Sequence, residues 1–133
     1  MGKTSLFTVI TAVIVQFIVG YLWYGPHLFG SVMGTAGHTI DFLKMDVVSL
    51  LLIVLSGYGL THVLGTLDKL TGTKDVGGGL KLGLTVGAFA IGFPVIMLMN
   101  LMGYDKIVLL VTFTYLVLIT ILTNIVVIKL KHA

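Results

Sequence analysis

Four long apolar stretches dominate this sequence, and their length constrains what the chain can fold into. They cover residues 5–24, 47–67, 80–103 and 107–128, and the one formal charge inside them is Lys81. A helix of about 20 residues is roughly 30 Å long, which matches the hydrocarbon core of a bilayer. Because lipid offers an exposed backbone no hydrogen-bond partners, these stretches are predicted to be transmembrane helices.

The composition supports the same interpretation. Charged residues are 10% and hydrophobic residues 57% of the 133 residues, whereas soluble domains are about a quarter charged. The apolar stretches lack the alternating polarity of a membrane β-barrel. We therefore predict an all-α fold, an integral membrane bundle of four transmembrane helices that forms a single domain over residues 1–133, with the lipid bilayer as a partner.

The lysines indicate how this bundle is oriented. With four spans, one side of the membrane holds Lys3, Lys69, Lys74, Lys81, Lys129 and Lys131, and the other side holds Lys44 and Lys106. The positive-inside rule then places both termini in the cytoplasm. The lysines form no continuous basic stripe and the chain has no arginine, so no nucleic-acid partner is expected.

The connections between the spans differ in character. In the first, over residues 25–46, apolar residues recur as Leu28, Phe29, Val32 and Met33, which predicts a short helix lying in the membrane interface. Asp46 is placed to cap the second span. The second connection, over residues 68–79, is polar and glycine-rich, and we expect it to be flexible.

Small residues recur at four-residue spacing along three of the spans. The stripes consist of Gly79, Gly83 and Gly87, of Gly57, Thr61 and Gly65, and of Thr8, Ala12, Gln16 and Gly20. In a bilayer, close approach over small residues brings helices together. The stripes are therefore predicted to be helix-packing faces, either between spans of one chain or between the chain and a second membrane protein.

A few polar residues interrupt the apolar stretches. Gln16, His62, Asn100 and Asn124 suggest a polar path or a ligand contact, and Ser56 and Thr120 belong to the same polar set. The simpler alternative is that these residues form hydrogen bonds between helices. Pro94 follows Gly92 inside the third span, which predicts an ordinary kink or a broken helix of the kind found in transporters.

Chemistry-bearing residues are scarce. The chain has no cysteine, and no nucleophile and base pair is evident. The one loop with several metal-ligand residues carries His27, His38 and Asp41, which is a weak basis for a zinc site. We therefore predict no enzymatic activity, no catalytic residues, no metal site and no cofactor.

A short motif closes the first span. Leu22-Trp23-Tyr24-Gly25-Pro26 is followed by Leu28-Phe29-Gly30, and here the chain resembles the small four-span bacterial membrane proteins grouped as domain of unknown function 1761. The resemblance implies a four-span topology in a bacterial inner membrane and no mechanism. In physical terms Trp23, Tyr24, Gly25, Pro26 and Phe29 form an interfacial motif that ends the helix and returns the chain to the membrane.

Two functions fit these observations. The first is a non-enzymatic, multi-pass membrane protein that packs through its glycine and small-residue faces into a homo-oligomer or into a larger membrane complex as an accessory subunit. The second is a channel or transporter for small solutes or ions, which uses the intramembrane polar path. The chain has no Asp within the predicted spans, which makes proton-coupled export of cations a poor fit.

Overall fold

A computed structural model describes residues 6–25, 28–29 and 46–131 of the chain. These residues form α1 (Leu6–Trp23), α2 (Val47–Thr71), α3 (Val76–Thr85), a π-helical segment (Val86–Gly92), α4 (Phe93–Leu101) and α5 (Lys106–Lys131). The segments α3, π-helix and α4 are continuous and make up the third long helix. The described residues contain no strand, and they include four helices long and apolar enough to cross a membrane.

The last helix, α5, is the centre of the bundle. It contacts α1, α2, α3, the π-helical segment and α4. Side chains near the end of α1 contact the beginning of α5, as Tyr24 reaches Thr112, and the start of α3 contacts the end of α5, as Gly79 meets Ile128. Both neighbours therefore run antiparallel to α5. We call the end of the bundle with Leu6 and Leu130 the terminal end, and the opposite end the far end.

The second connection is shorter than predicted. Helix α2 continues to Thr71 and α3 begins at Val76, so only four residues separate them. Gly72 ends α2 in the left-handed conformation, with a φ of 72°, which glycine adopts without steric cost. The Asp75 side chain accepts a hydrogen bond from the Gly78 amide and caps α3. The predicted bounds of this loop, residues 68–79, are therefore wrong, because the loop covers only residues 72–75.

Two aspartates take the positions that helix ends favour. Asp46 caps α2 as predicted, because its carboxylate accepts a hydrogen bond from the Ser49 amide at 2.8 Å. Asp105 accepts a hydrogen bond from the Ile107 amide at 3.1 Å, close to the start of α5. Both groups satisfy backbone donors that a helix N-terminus leaves free.

Pro94 is accommodated by a change of helix type. Residues 86–92 form a π-helix, in which the Phe93 amide donates to the carbonyl of Ala88, five residues earlier. Proline has no amide hydrogen and crowds the preceding turn, so the wider π-helical turn absorbs the misfit. The third span is thus interrupted by a π-helix.

An aromatic cluster closes the far end of the bundle. Tyr24, Val108 and Val111 are buried together, and partly buried Trp23, Phe29, Met99, Tyr104 and Tyr115 pack against them. The Trp23 indole donates to the Val111 carbonyl at 3.2 Å. These contacts hold the end of α1 against the beginning of α5. Leu28 and Phe29 of the predicted interfacial helix form a turn, and the rest of that helix, like Pro26, His27, His38 and Asp41, lies outside the described residues.

Candidate functional site in the polar interior

The interior of the bundle contains several polar side chains between its four long apolar helices. The buried polar side chains are those of Thr8, Gln16, Thr61, Asp68, Thr120, Thr123 and Asn124. They come from α1, α2 and α5. Polar side chains inside a membrane protein carry a desolvation penalty and frequently mark the pathway of a substrate or an ion.

Gln16 forms the first polar layer, in the middle of α1. Its side-chain oxygen accepts a hydrogen bond from the Ser56 hydroxyl at 3.4 Å. Its backbone carbonyl accepts one from the Tyr115 hydroxyl at 3.2 Å. The side chain is 3% exposed, and its Nε2 donor has no hydrogen-bond partner within the described part of the chain. The layer therefore joins three helices and leaves one donor unused.

Asn124 lies closer to the terminal end. Its Nδ2 donates to the backbone carbonyl of Gly79 at 3.0 Å, which ties α5 to α3. Turning the amide over would set two oxygens against each other, so this bond fixes the orientation of the amide. The Oδ1 acceptor is left without a partner among the residues that the structure describes, although the side chain is 0% exposed.

Thr123 differs from most of the helical threonines. Seven others donate their hydroxyl to the carbonyl four residues earlier, namely Thr11, Thr61, Thr66, Thr71, Thr85, Thr114 and Thr120. The Thr123 hydroxyl makes no hydrogen bond to any described residue, and the side chain is 0% exposed. A buried hydroxyl without a partner costs about 1–3 kcal/mol. Thr123 therefore keeps a buried hydroxyl whose hydrogen-bonding capacity no described residue uses.

The two polar layers lie at different depths. Tyr115, which reaches Gln16, and Thr123 are eight residues apart on α5, about 12 Å along the helix axis. Thr61 belongs to the Thr123 layer, because Gly65, one turn further along α2, faces Val127, one turn beyond Thr123. Unused polar atoms therefore occur at two levels of the interior.

Asp68 is a buried carboxylate at a position where the sequence predicts a loop. It lies in the last turn of α2 and is 1% exposed. Asp68 thus belongs to the second long helix and not to a loop, because α2 is four residues longer than the apolar stretch that predicted it. The signal was present in the sequence, since Asp68 continues the Gly57, Thr61 and Leu64 face at helical spacing.

The structure does not bring the four residues of the predicted polar path together. Gln16 and Asn124 are buried, as described above. His62 is half-buried and stacks on Tyr58, with ring centroids 6.0 Å apart. Asn100 is exposed at the far end, and its side-chain oxygen accepts a hydrogen bond from Lys106. Thr123 was the residue missed, and its place beside Asn124 in the sequence was the available signal.

The glycine faces lie against other helices of the same chain. A Cβ added at Gly83 would lie 2.8 Å from the Cα of Ile121, and one at Gly87 would lie 3.0 Å from the Cα of Val117. At the other predicted glycine positions, an added Cβ would lie close to a side chain of a neighbouring helix. Gly57 faces Val13, Gly65 faces Val127 and Gly79 faces Ile128. Thr61, between the two α2 glycines, donates its hydroxyl to the Gly57 carbonyl.

The interfacial motif is directed toward the protein. The Tyr24 hydroxyl donates to Thr112 at 3.2 Å, and the side chain is buried. The Phe29 amide donates to the Trp23 carbonyl and the two rings lie 5.0 Å apart, so the chain folds back after Gly25. Trp23 and Tyr24 thus pack on α5 in addition to ending the first span.

The described residues include no group of three His, Cys, Asp or Glu side chains placed to hold a metal ion. What the interior offers is hydroxyl and amide groups with unused hydrogen-bonding capacity. Comparison of the chain with protein-family models, with curated protein sequences and with solved structures finds no match.

Proposed function

We propose that the protein is a non-enzymatic membrane protein whose polar interior admits a small, neutral, hydrogen-bonding solute. The observation that carries this proposal is the set of three unused polar atoms on Gln16, Thr123 and Asn124. A buried polar atom without a partner is destabilising, and water or a solute of similar chemistry in the interior removes that penalty. The alternative that these residues serve only helix packing leaves the three atoms unexplained.

The chemistry of the two layers favours a neutral solute. Amides and hydroxyls offer both donors and acceptors, which suit water, urea or a short polyol. An ion that leaves its hydration shell needs a ring of carbonyls or charged side chains. Asp68 is the one buried residue with a formal charge among the described residues. It lies nearer the terminal end of the bundle than the layer that contains Thr123.

The proposal includes an orientation. On the terminal side of the bundle lie Lys69, Lys74, Lys81 and Lys129, and on the far side of the described chain lies Lys106. The positive-inside rule then puts both termini in the cytoplasm. The resemblance of the corner motif to small bacterial membrane proteins supports placement in a bacterial inner membrane.

Reconstituted vesicles test the function. Purified protein is incorporated into liposomes, and the swelling that follows an inward gradient of glycerol or urea is measured by stopped-flow light scattering. We expect faster swelling than in protein-free liposomes. Thr123→Val keeps the shape of the side chain and removes its hydroxyl, so it should reduce the protein-dependent rate severalfold.

A matched control is Thr120→Val on the same helix. Thr120 is equally buried, but its hydroxyl already donates to the Leu116 carbonyl at 2.7 Å, so the protein-dependent rate should change less than about twofold. Swelling equal to that of protein-free liposomes for water, glycerol and urea would contradict the proposal. An equal loss of rate in both variants would also count against it.

A second candidate is association with another membrane protein or with a second copy. Its support is the exposure of α4, in which no residue is buried. The preceding part of the same long helix packs on α5. The predicted glycine faces are already occupied by helices of this chain, so an association surface lies elsewhere. We therefore place the association surface on the outward side of α4, which includes exposed Met97 and Leu101.

Disulfide crosslinking tests this second candidate. The chain has no cysteine of its own, so Met97→Cys supplies a single thiol on the exposed side of α4. We expect a crosslinked dimer if copies associate there, and none for Leu51→Cys, an equally exposed position on α2. A monomer in both cases would leave no support for self-association through α4.

A further inference from the structure

Exposed lysines are gathered at the terminal end of the bundle. Lys69 lies in the last turn of α2, Lys74 in the following turn, Lys81 in α3 and Lys129 near the end of α5. All four side chains are exposed. Ile128, beside Lys129, lies against Gly79, in the first turn of α3. The four lysines therefore lie at the same end of the molecule, and we call them the lysine ring.

The described carboxylates at this end offset only part of the charge of the lysine ring. Asp68 is turned into the bundle and is buried. Asp75 is exposed and keeps its charge while its Oδ1 accepts the hydrogen bond from Gly78 at 3.0 Å, so one exposed carboxylate stands against four exposed lysines. A positively charged rim remains that faces the membrane surface.

The position of Lys81 distinguishes a lipid from an anion dissolved in water. It lies five residues beyond the start of α3, about 7 Å along the axis, between exposed Leu80 and Leu84. Its aliphatic part therefore lies along the lipid-facing surface, and its ammonium group must extend back toward the interface. At that depth the available counter-charge is the phosphate or headgroup of a phospholipid.

The far end has the opposite balance. Its described charges are Lys106, Asp46 and Asp105, of which Lys106 is hydrogen-bonded to Asn100. The asymmetry of charge is thus a property of the folded bundle, because it depends on the burial of Asp68 as well as on the number of lysines.

We propose that the lysine ring binds the headgroups of anionic phospholipids in the leaflet at the terminal end. Each lysine near a membrane surface attracts anionic lipid, and a ring of four around one bundle selects such lipids from a mixture. The inference rests on charge, exposure and depth, and it does not depend on solute passage through the interior.

Native mass spectrometry tests this proposal. The full chain is released from nanodiscs that contain equal amounts of phosphatidylglycerol and phosphatidylcholine, and the bound lipids are identified by mass. We expect phosphatidylglycerol to be enriched severalfold among them. Replacing the four ring lysines with Gln should return the bound ratio to near that of the nanodisc.

Two further variants keep the test decisive. Lys106→Gln at the far end removes one lysine outside the ring, and its enrichment should match that of the wild type. Replacement of the ring lysines with Arg keeps the charge and should keep the enrichment, which separates charge from misfolding. Equal enrichment in the Gln variant and the wild type would overturn the proposal, as would a loss of enrichment in the Arg variant.

Discussion

Gly83 of α3 lies directly against the backbone of Ile121 of α5. A Cβ at residue 83 would lie 2.8 Å from the Ile121 Cα, closer than real Cβ contacts allow. Because the neighbour is backbone in a central helix, it has little room to move away. The approach of the two helices therefore depends on the absence of a side chain at this position.

Gly83→Ala is expected to destabilise the bundle by about 1–3 kcal/mol, the usual effect of overpacking a well-packed core. Thermal or denaturant unfolding in detergent measures this change. Gly59→Ala is the matched control, because a Cβ there meets nothing within 4 Å. The control should be neutral or slightly stabilising, since Ala favours helix more than Gly does. Equal stability of the two variants would refute the packing described for Gly83.

Asn124→Asp should be strongly destabilising. The side-chain Nδ2 that donates to the Gly79 carbonyl is replaced by oxygen, so either two acceptors face each other or the new carboxyl must stay protonated. A loss of at least about 1–3 kcal/mol is expected in unfolding experiments. Asn100→Asp is the control, because Asn100 is exposed beside Lys106 and a carboxylate there gains a cation partner. A control as unstable as Asn124→Asp would show that the effect is not specific.

Gly92→Ala is expected to disturb the π-helical segment. An added Cβ would lie 2.6 Å from Cε1 of Phe113 and 2.7 Å from the Gly87 carbonyl oxygen. Phe113→Leu replaces the ring by a smaller side chain and so relieves only the first contact. The Gly92→Ala/Phe113→Leu double variant should therefore recover part of the lost stability and not all of it. Full recovery would mean that the backbone contact with Gly87 is unimportant.

The Asp46 cap makes a small contribution to stability that depends on pH. Hydrogen bonding from Ser49 lowers the pKa of this carboxyl below its ordinary value of 3.8. A lowered pKa in the folded state means that the contribution is present above about pH 4 and is lost as the pH falls through the lowered pKa. Below pH 4 the Tm of the wild type should therefore fall relative to the Tm of Asp46→Asn. A difference that stays constant from pH 6 to pH 2.5 would contradict this assignment.

The helical class and the approximate spans follow from the sequence because hydrophobic length is a strong signal in lipid. The Asp46 cap was also predictable, since its residue type and position define the motif. Hydropathy alone misses the end of α2, because the apolar pattern stops before Asp68 while the helix continues to Thr71; the helical spacing that Asp68 shares with Thr61 and Leu64 was the signal that extends it. Hydropathy cannot detect that a carboxylate faces inward, as this depends on the neighbouring helices.

The polar interior shows the same limit. Depth along each span suggested a path that included His62 and Asn100, but depth does not specify which way a side chain points around its helix. Rotation about the helix axis is set by packing, and the packing turns Thr123 inward and leaves Asn100 outside. The π-helix at residues 86–92 was not predicted either. Pro94 shows that one backbone amide donor is missing, but it does not show how the helix accommodates that loss.

The most direct test of a wet interior is the reactivity of a single thiol placed there. In a chain without cysteine, Thr123→Cys in liposomes is treated with methyl methanethiosulfonate, a small neutral reagent that reacts with the thiolate, and modification is followed by mass. A thiolate forms where water reaches the sulfur, so we predict modification at residue 123 and none for Val108→Cys, buried in the aromatic cluster. A thiol at residue 123 as inert as the one at residue 108 would contradict the account.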